Sequence, residues 1–424
     1  MNAHIHDGYD PLAPIDWQDP YPTYRSLRDH APVYFAEETG CYVVSRYADV
    51  VAVLKNPAVY SSQSAFDVLI RSSRPKLSPR LLFEVARFLL RARINPLTVG
   101  RNPPEILIAV DPPRHDELRT FVNQGFTPRH IMAWEERMRA IVGESMQKLK
   151  RGEDFDLIAD LAIPLPVVLI AEILGADSAH IGHFKRWSDA IVAGTSGTNR
   201  SENMAPFIKA MGELLAYIRE LAHARRADPQ DDLVSILVNR GKEGGLDDAG
   251  IGQFVLLMLV AGNETTTNMI GNTVKALLEN PEQLEKVRSD PTLIPNLIEE
   301  SLRYDGPVQF VFRKTLAEIE LAGTKIPAKA SIAVMLGAAN RDERQFEDPD
   351  AFDITRSAKG HLGFGLGIHF CMGASLARLE GKVALEALIP ELPGLKAREP
   401  QLEFIDSYLV RGIEKFDLVP RVDC

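Results

Sequence analysis

Helical spacing dominates the pattern of apolar and polar positions. Apolar residues recur at three- and four-residue steps through 131–150, 156–175, 205–226, 247–279, 281–288, 292–304 and 372–391, and each run predicts a helix. Asp247 and Asp248 mark the start of the fourth run, where a carboxylate accepts from the unpaired N–H groups of a first helical turn. Strict alternation is confined to short stretches near the two ends. "CYVVSRYADVVAVLKN" (41–56) reads as a strand, Cys41 to Ser45, turning into a helix. "IELAGTKIPAKASIAVMLGAANRD" (319–342), split by Gly323 and Pro327, reads as two strands of a small sheet, and "EKFDLVP" (414–420) as another strand. There is no internal repeat and no linker rich in Gly, Ser or Pro. The expected fold is therefore mainly α with a minor β part, one large domain spanning 1–424.

Two apolar stretches bear on membranes. "LIADLAIPLPVVLIAEILGA" (157–176) is long enough to span, but Asp160, Pro164, Pro166 and Glu172 interrupt it. "FVLLMLVAG" (254–262) is too short. Both predict buried helices and no membrane span. One segment breaks the pattern: 71–101 is basic and apolar inside an acidic chain. In it Leu81, Leu82, Val85, Phe88 and Leu89 share a helical face, ringed by Arg80, Arg87, Arg91 and Arg93. Arginine stems covering apolar surface on a surface helix are the commoner reading. The sharper readings are an extended lid near a substrate entrance, which we favour, or a docking surface for an acidic acyl carrier protein.

The chain has 424 residues, 45% of them apolar and 25% charged, enough for a large core. A net charge of −10 argues against a general nucleic-acid binder. Cys41, Cys371 and Cys424 are too few and too far apart for a disulfide framework or a CxxC metal pair, which fits a reducing cytoplasm. The first 22 residues show no basic segment leading into an apolar run, so no secretory signal is expected.

The chemistry concentrates in "GFGLGIHFCMGAS" (363–375). A packed thiol is the default for a lone cysteine, but it leaves Gly363, Gly365, Gly367 and Gly373 unexplained. A phosphate loop needs a following Lys-Ser or Lys-Thr, which is missing. A nucleophile needs a base, and His369 stands only two residues away. A thiolate ligand to iron uses every unusual residue. The helix predicted after Cys371 would lower the thiol pKa through its N-terminal dipole, and the glycines would let the loop lie against a porphyrin.

"FGLGIHFCMG" (364–373) matches the haem-binding pattern FGxGxHxCxG at every defined position, and on these residues the sequence resembles the cytochrome P450 family. The resemblance covers nearly the whole chain, from 19–35 to 411–419. It implies a cytochrome P450 fold with haem b (iron protoporphyrin IX) between the oxygen-activating helix and the cysteine-loop helix. Cys371 would be the axial iron ligand, next to Gly373. "ESLR" (300–303) alone is an ordinary surface ion pair, but the resemblance places Glu300, Arg303 and Arg356 in a buried cluster behind the haem. "AGNET" (261–265) alone is a core helix turning polar; the resemblance makes Ala261 and Gly262 haem neighbours and Glu264 and Thr265 the acid–alcohol pair that passes protons to oxygen. His115, Arg119, Arg313 and His369 would bind the haem propionates, with His361 close by.

The implied activity is haem-thiolate monooxygenation: one oxygen atom of O2 enters an apolar lipid, terpenoid, steroid or polyketide-like substrate. Electrons would come from a separate ferredoxin and an NAD(P)H-dependent ferredoxin reductase, docking near Arg119, Arg129 and Arg378. The substrate walls would be Leu257, Val260, Val308, Gln309, Phe310, Val311, Tyr408 and Leu409, with Gln309 and Tyr408 as polar anchors. A haem sensor would have no need of the acid–alcohol pair, a peroxide-driven enzyme tends to lose it, and a cysteine hydrolase would carry no haem.

Overall fold

The computed structural model describes residues 8–13, 18–63, 78–92, 106–195, 200–239, 246–407 and 410–421. The longest helix, Asp248–Glu279, runs through the main core. It starts where the sequence says: Asp247 accepts from the Gly250 N–H at 2.8 Å. Ile251, Val255, Leu259, Ile270, Val274 and Leu277 are sealed against its neighbours. These include Pro164–Ile173, Ile181–Thr195, Arg200–Ala227, Ile294–Tyr304 and Ala374–Leu388.

Six of the seven expected helical runs form as single helices or nearly so. The expected 131–150 run splits into Pro128–Ala133 and Glu135–Lys150. The 156–175 run begins with a wide turn, Ile158–Ala162, because Pro164 has no N–H to continue the ladder and instead opens a new helix. Among the described residues no helix is long and apolar enough to cross a membrane.

The β part is larger than the alternation suggests. A five-stranded sheet has the order Val33–Ala36, Cys41–Val44, Ser331–Met335, Phe310–Thr315, Tyr60–Ser61. Cys41–Val44 runs parallel to Ser331–Met335, while the other neighbours are antiparallel. Residues 319–342 supply three strands, not two: Ile319–Leu321, Thr324–Ile326 and Ser331–Met335. Phe310–Thr315, an unforeseen strand, is central. Its pattern FVFRKT alternates faces, so Phe310 and Phe312 pack with Tyr24 and Cys41, while Val311 joins Val44 and Leu362 on the other side. Asp417–Pro420 pairs with Phe155–Asp156 and Leu395–Ala397.

Of the segment 71–101, only the helix Pro79–Ala92 and Ser78 before it lie within the described residues. That helix packs on Arg200–Ala227, with Phe88 against Gly212 and Arg91 3.4 Å from Glu213. Leu82, Phe83 and Leu90 point away and are exposed.

Candidate active site

The cysteine loop is built by its glycines. Gly365 and Gly367 have φ of 70° and 76°, a left-handed conformation that side chains rarely adopt. A Cβ on Gly367 would also stand 2.4 Å from the Leu54 carbonyl oxygen. The Cys371 N–H closes the loop onto the Phe364 carbonyl at 2.9 Å, and the helix Ala374–Leu388 follows at once. The start of that helix pulls the Cys371 thiol pKa down through the Gly373 N–H. Burial raises the thiol pKa and outweighs the Gly373 N–H and the charges of Arg119 and Arg378, which pull it down. A bound metal cation reverses that balance, because a coordinating thiol is deprotonated outright.

Four donors gather at this loop from three segments: the helix Arg114–Asn123, the strand Phe310–Thr315 and the loop itself. His115 and His369 stack edge to face with ring centroids 4.6 Å apart, and the Nε2 of each is buried without a partner among the described residues. Arg313 is buried on the sheet, its pKa pushed down to about 10 by burial, with Asp111 as its opposing charge. Asp111 is fixed by the Ser62 N–H at 2.8 Å and the Ser61 hydroxyl at 2.5 Å. Arg119 reaches across to the loop, donating to the carbonyls of Ile368 at 3.0 Å and Phe370 at 2.7 Å. Burial and the neighbouring Arg313, His115 and Arg119 push His369 down to about 3, so its imidazole is neutral.

Across from the loop, the central helix changes character. Leu257, Val260, Glu264 and Thr265 are half-buried and Ala261 is exposed, between fully buried turns on either side. These positions share one face at helical spacing. Thr265 donates its hydroxyl to the Ala261 carbonyl at 2.7 Å. Glu264 is pushed up to about 7, first by burial and then by the charge of Asp189. Gly262 lets the helix Pro164–Ile173 approach: a Cβ there would be 2.9 Å from Ile170 Cδ1.

Behind the loop, the Glu300 and Arg303 side chains are 0% exposed. Arg303 donates twice to Glu300, at 2.7 and 2.8 Å, and also to the carbonyls of Asn340, Pro349 and Ala351. Arg356 Nε lies 3.1 Å from Glu300, while its Nη atoms bond the carbonyls of Glu347 and Asp348. Glu300, Arg303 and Arg356 thus meet in one buried cluster.

Several expected placements change. His361 bonds Glu299 at 2.9 Å and accepts the Gly363 N–H, so it braces the loop and does not join His115 and His369. Arg378 is held by Glu299 through two bonds, 2.6 and 2.8 Å, and lies over the Phe364 ring, so it is no free docking cation. Arg119 turns inward, and Arg129 stays exposed. Phe310 and Gln309 line a small cavity of about 50 Å³ with Tyr9, Tyr24 and Arg411, on the sheet face opposite Val311. The strand's two-residue alternation turns Phe310 there, and Gln309 donates to the Gly306 carbonyl. Val308 is half-buried beside Val410 in a single bridge. Tyr408 and Leu409 lie outside the described residues. Sequence reasoning missed Asp111, Asp189, Glu299 and Glu380. Each lies far along the chain from the residue it serves, so no local spacing marks it.

The family model for cytochrome P450 matches residues 201–392. The 6-deoxyerythronolide B hydroxylase of Saccharopolyspora erythraea is 36% identical over 406 residues, covering 94% of this chain and 95% of that one. The chain belongs to the cytochrome P450 family. The structure of CYP109Q5 from Chondromyces apiculatus superposes with a TM-score of 0.84 at 36% identity, covering 98% of both chains. CYP109E1 from Bacillus megaterium, solved in complex with testosterone, gives a TM-score of 0.80 at 34% identity, covering 95% of this chain and 100% of that one. As a cytochrome P450, the chain is a monooxygenase whose cofactor is haem b. Its residues fit that group. Two unpartnered buried imidazole nitrogens and two arginines converge beside a cysteine loop, which suits the carboxylates of a porphyrin with a thiolate below it.

Proposed function

We propose that this cytochrome P450 oxygenates an apolar lipid, terpenoid, steroid or polyketide-like molecule, with Cys371 as the axial thiolate. The observation that carries this reading is the convergence of His115, Arg119, Arg313 and His369 on the Cys371 loop. Haem, when bound, supplies the oxygen activation. His115, Arg119, Arg313 and His369 would hold its propionates by charge-assisted bonds. A Cβ built on Gly373 would stand 4.0 Å from the Cys371 sulfur, and glycine leaves that space open. Glu264 carries a proton and passes it through Thr265 Oγ1 toward oxygen. Glu300, Arg303 and Arg356 fix the segment before the loop.

Leu257, Val260, Ala261 and Val311 form the apolar wall. The testosterone complex of CYP109E1 and the polyketide substrate named for 6-deoxyerythronolide B hydroxylase support the substrate class. The helix Pro79–Ala92, with Leu82, Phe83 and Leu90 outward, acts as part of a lid in what we read as one domain, 1–424. A ferredoxin and its NAD(P)H-dependent reductase deliver the electrons on the cysteine side. The test is the reduced, CO-bound spectrum. Wild type shows the thiolate-type band, and Cys371→Ser loses it while the fold persists by circular dichroism. A thiolate band retained in Cys371→Ser would refute the ligand assignment.

A further inference from the structure

Two helices meet beside the acid of the central helix through a buried bond: Asn263 Nδ2 donates to Ser188 Oγ at 2.6 Å. Glu264 follows Asn263, and Asp189 follows Ser188 on the helix Ile181–Thr195. Glu264 is half-buried on the open face, while Asp189 is exposed to solvent. The bond thus brings the exposed and the half-buried carboxylate to neighbouring positions on the two helices, close enough for the charge of Asp189 to act on Glu264. Among the described residues, the carboxylates of the neighbouring elements are engaged elsewhere, and one cation, Lys185, acts on Asp189. Glu172 on Pro164–Ile173 is committed to Arg137. Glu213 on Arg200–Ala227 accepts from Trp187 and Arg91, with Arg186 3.6 Å away. Glu380 on the cysteine helix accepts from Thr266. Lys185 lies one turn before Asp189.

We propose that Asp189 is the outer member of a two-carboxylate proton path leading from solvent through Asp189 and Glu264 to Thr265 Oγ1. This rests on the reading of Glu264 and Thr265 as the acid–alcohol pair. A cationic partner would hold Glu264 ionised and strip it of its proton. A like charge does the reverse: burial first, and then the charge of Asp189, push Glu264 up to about 7, so that the carboxyl carries a proton for much of the time at neutral pH. Burial also raises the Asp189 pKa against the pull of Lys185, which brings the two carboxyls closer in proton affinity. In one passage Glu264 gives its proton to the Thr265 hydroxyl oxygen, which releases its own proton inward. Asp189, ionised at rest, then takes a proton from solvent and passes it to Glu264, directly or through one water. One proton enters and both carboxyls return to their starting state; no electrons move.

The test compares Asp189→Asn, Asp189→Glu and Glu264→Gln in the haem-loaded protein, with a carboxyl titration in the protein free of haem. With ¹³C-labelled glutamate, and Glu264→Gln to assign its signal, the Glu264 titration moves down in Asp189→Asn. Turnover of Asp189→Asn falls about tenfold and its solvent isotope effect grows, while the substrate-induced spin shift is unchanged and Asp189→Glu restores turnover. An unmoved Glu264 titration, or wild-type turnover and isotope effect in Asp189→Asn, overturns the proposal. If Glu264→Gln slows turnover and Asp189→Asn does not, only the outer residue is refuted. If Glu264→Gln has no effect either, the acid–alcohol reading falls with it.

Discussion

Three consecutive threonines of the central helix bond in three directions. Thr265 turns back to the Ala261 carbonyl at 2.7 Å, Thr266 donates to Glu380 at 3.2 Å, and Thr267 donates to the Ala162 carbonyl at 2.9 Å. A helix turns each successive side chain by about 100°, so the triplet samples the open face and two packed ones. Only Thr265 lies on the open face with Glu264, so only its hydroxyl is placed to hand on a proton. Thr265→Ala should therefore still bind substrate, seen as an unchanged spin-state shift. Product formed per O2 consumed should fall about tenfold or more, with peroxide accounting for the difference. Coupling at the wild-type level would show that Thr265 does not handle the proton. The motif around Thr265 was legible in the sequence, but which threonine faces which neighbour was not, because that depends on the packing of three other helices.

At the scale of elements, the Glu300 cluster ties the helix Ile294–Tyr304 to the irregular segment 340–356 that leads into the cysteine loop. Arg303 and Arg356 together bond five carbonyls of that segment, and Glu300 accepts the Asp353 N–H at 3.0 Å. The segment has few backbone ladders of its own, so these side chains satisfy it. Glu300→Ala leaves the buried Arg303 guanidinium without its counter-charge, which costs roughly 3–5 kcal/mol. The expected result is a lower urea midpoint and loss of haem on gel filtration. A variant of wild-type stability and full haem content would count against this role. Glu299, one residue earlier, braces the loop itself through His361 and Arg378. The two bonds from Arg378 and the one from His361 hold the Glu299 carboxyl down at about 2.

For the molecule as a whole, stability carries a signature of the buried Glu380. It lies between the central helix and the cysteine helix, accepts from Thr266, and burial pushes its pKa up to about 8. The folded protein therefore keeps a proton that the unfolded chain releases near pH 4.5. Stability from this group is fully present below that pH and is lost as pH rises toward 8. Glu380→Gln removes the ionisable group and keeps the bond to Thr266. Between pH 5 and pH 8 the wild type should lose stability relative to Glu380→Gln by a few kcal/mol in paired urea titrations. Parallel curves for the two proteins would mean that Glu380 titrates normally.

The sequence by itself determined the helices, the cysteine loop and the family to which they point. Helical periodicity is local, and the FGLGIHFCMG loop needs its glycines within a few residues of Cys371. Tertiary structure alone decided the rest. The strand Phe310–Thr315 depends on Ser331–Met335 beside it, and the parallel pair 41–44 with 331–334 joins segments almost 300 residues apart. Phe310 was turned away from the substrate wall by strand alternation, which has no meaning until the strand exists. The Cys371 thiol is raised because burial outweighs the Gly373 N–H and the charges of Arg119 and Arg378, and burial is a property of the packed protein. Asp189 beside Glu264 follows from the same cause: charges act through space, so their effects are set by distances that chain order does not encode.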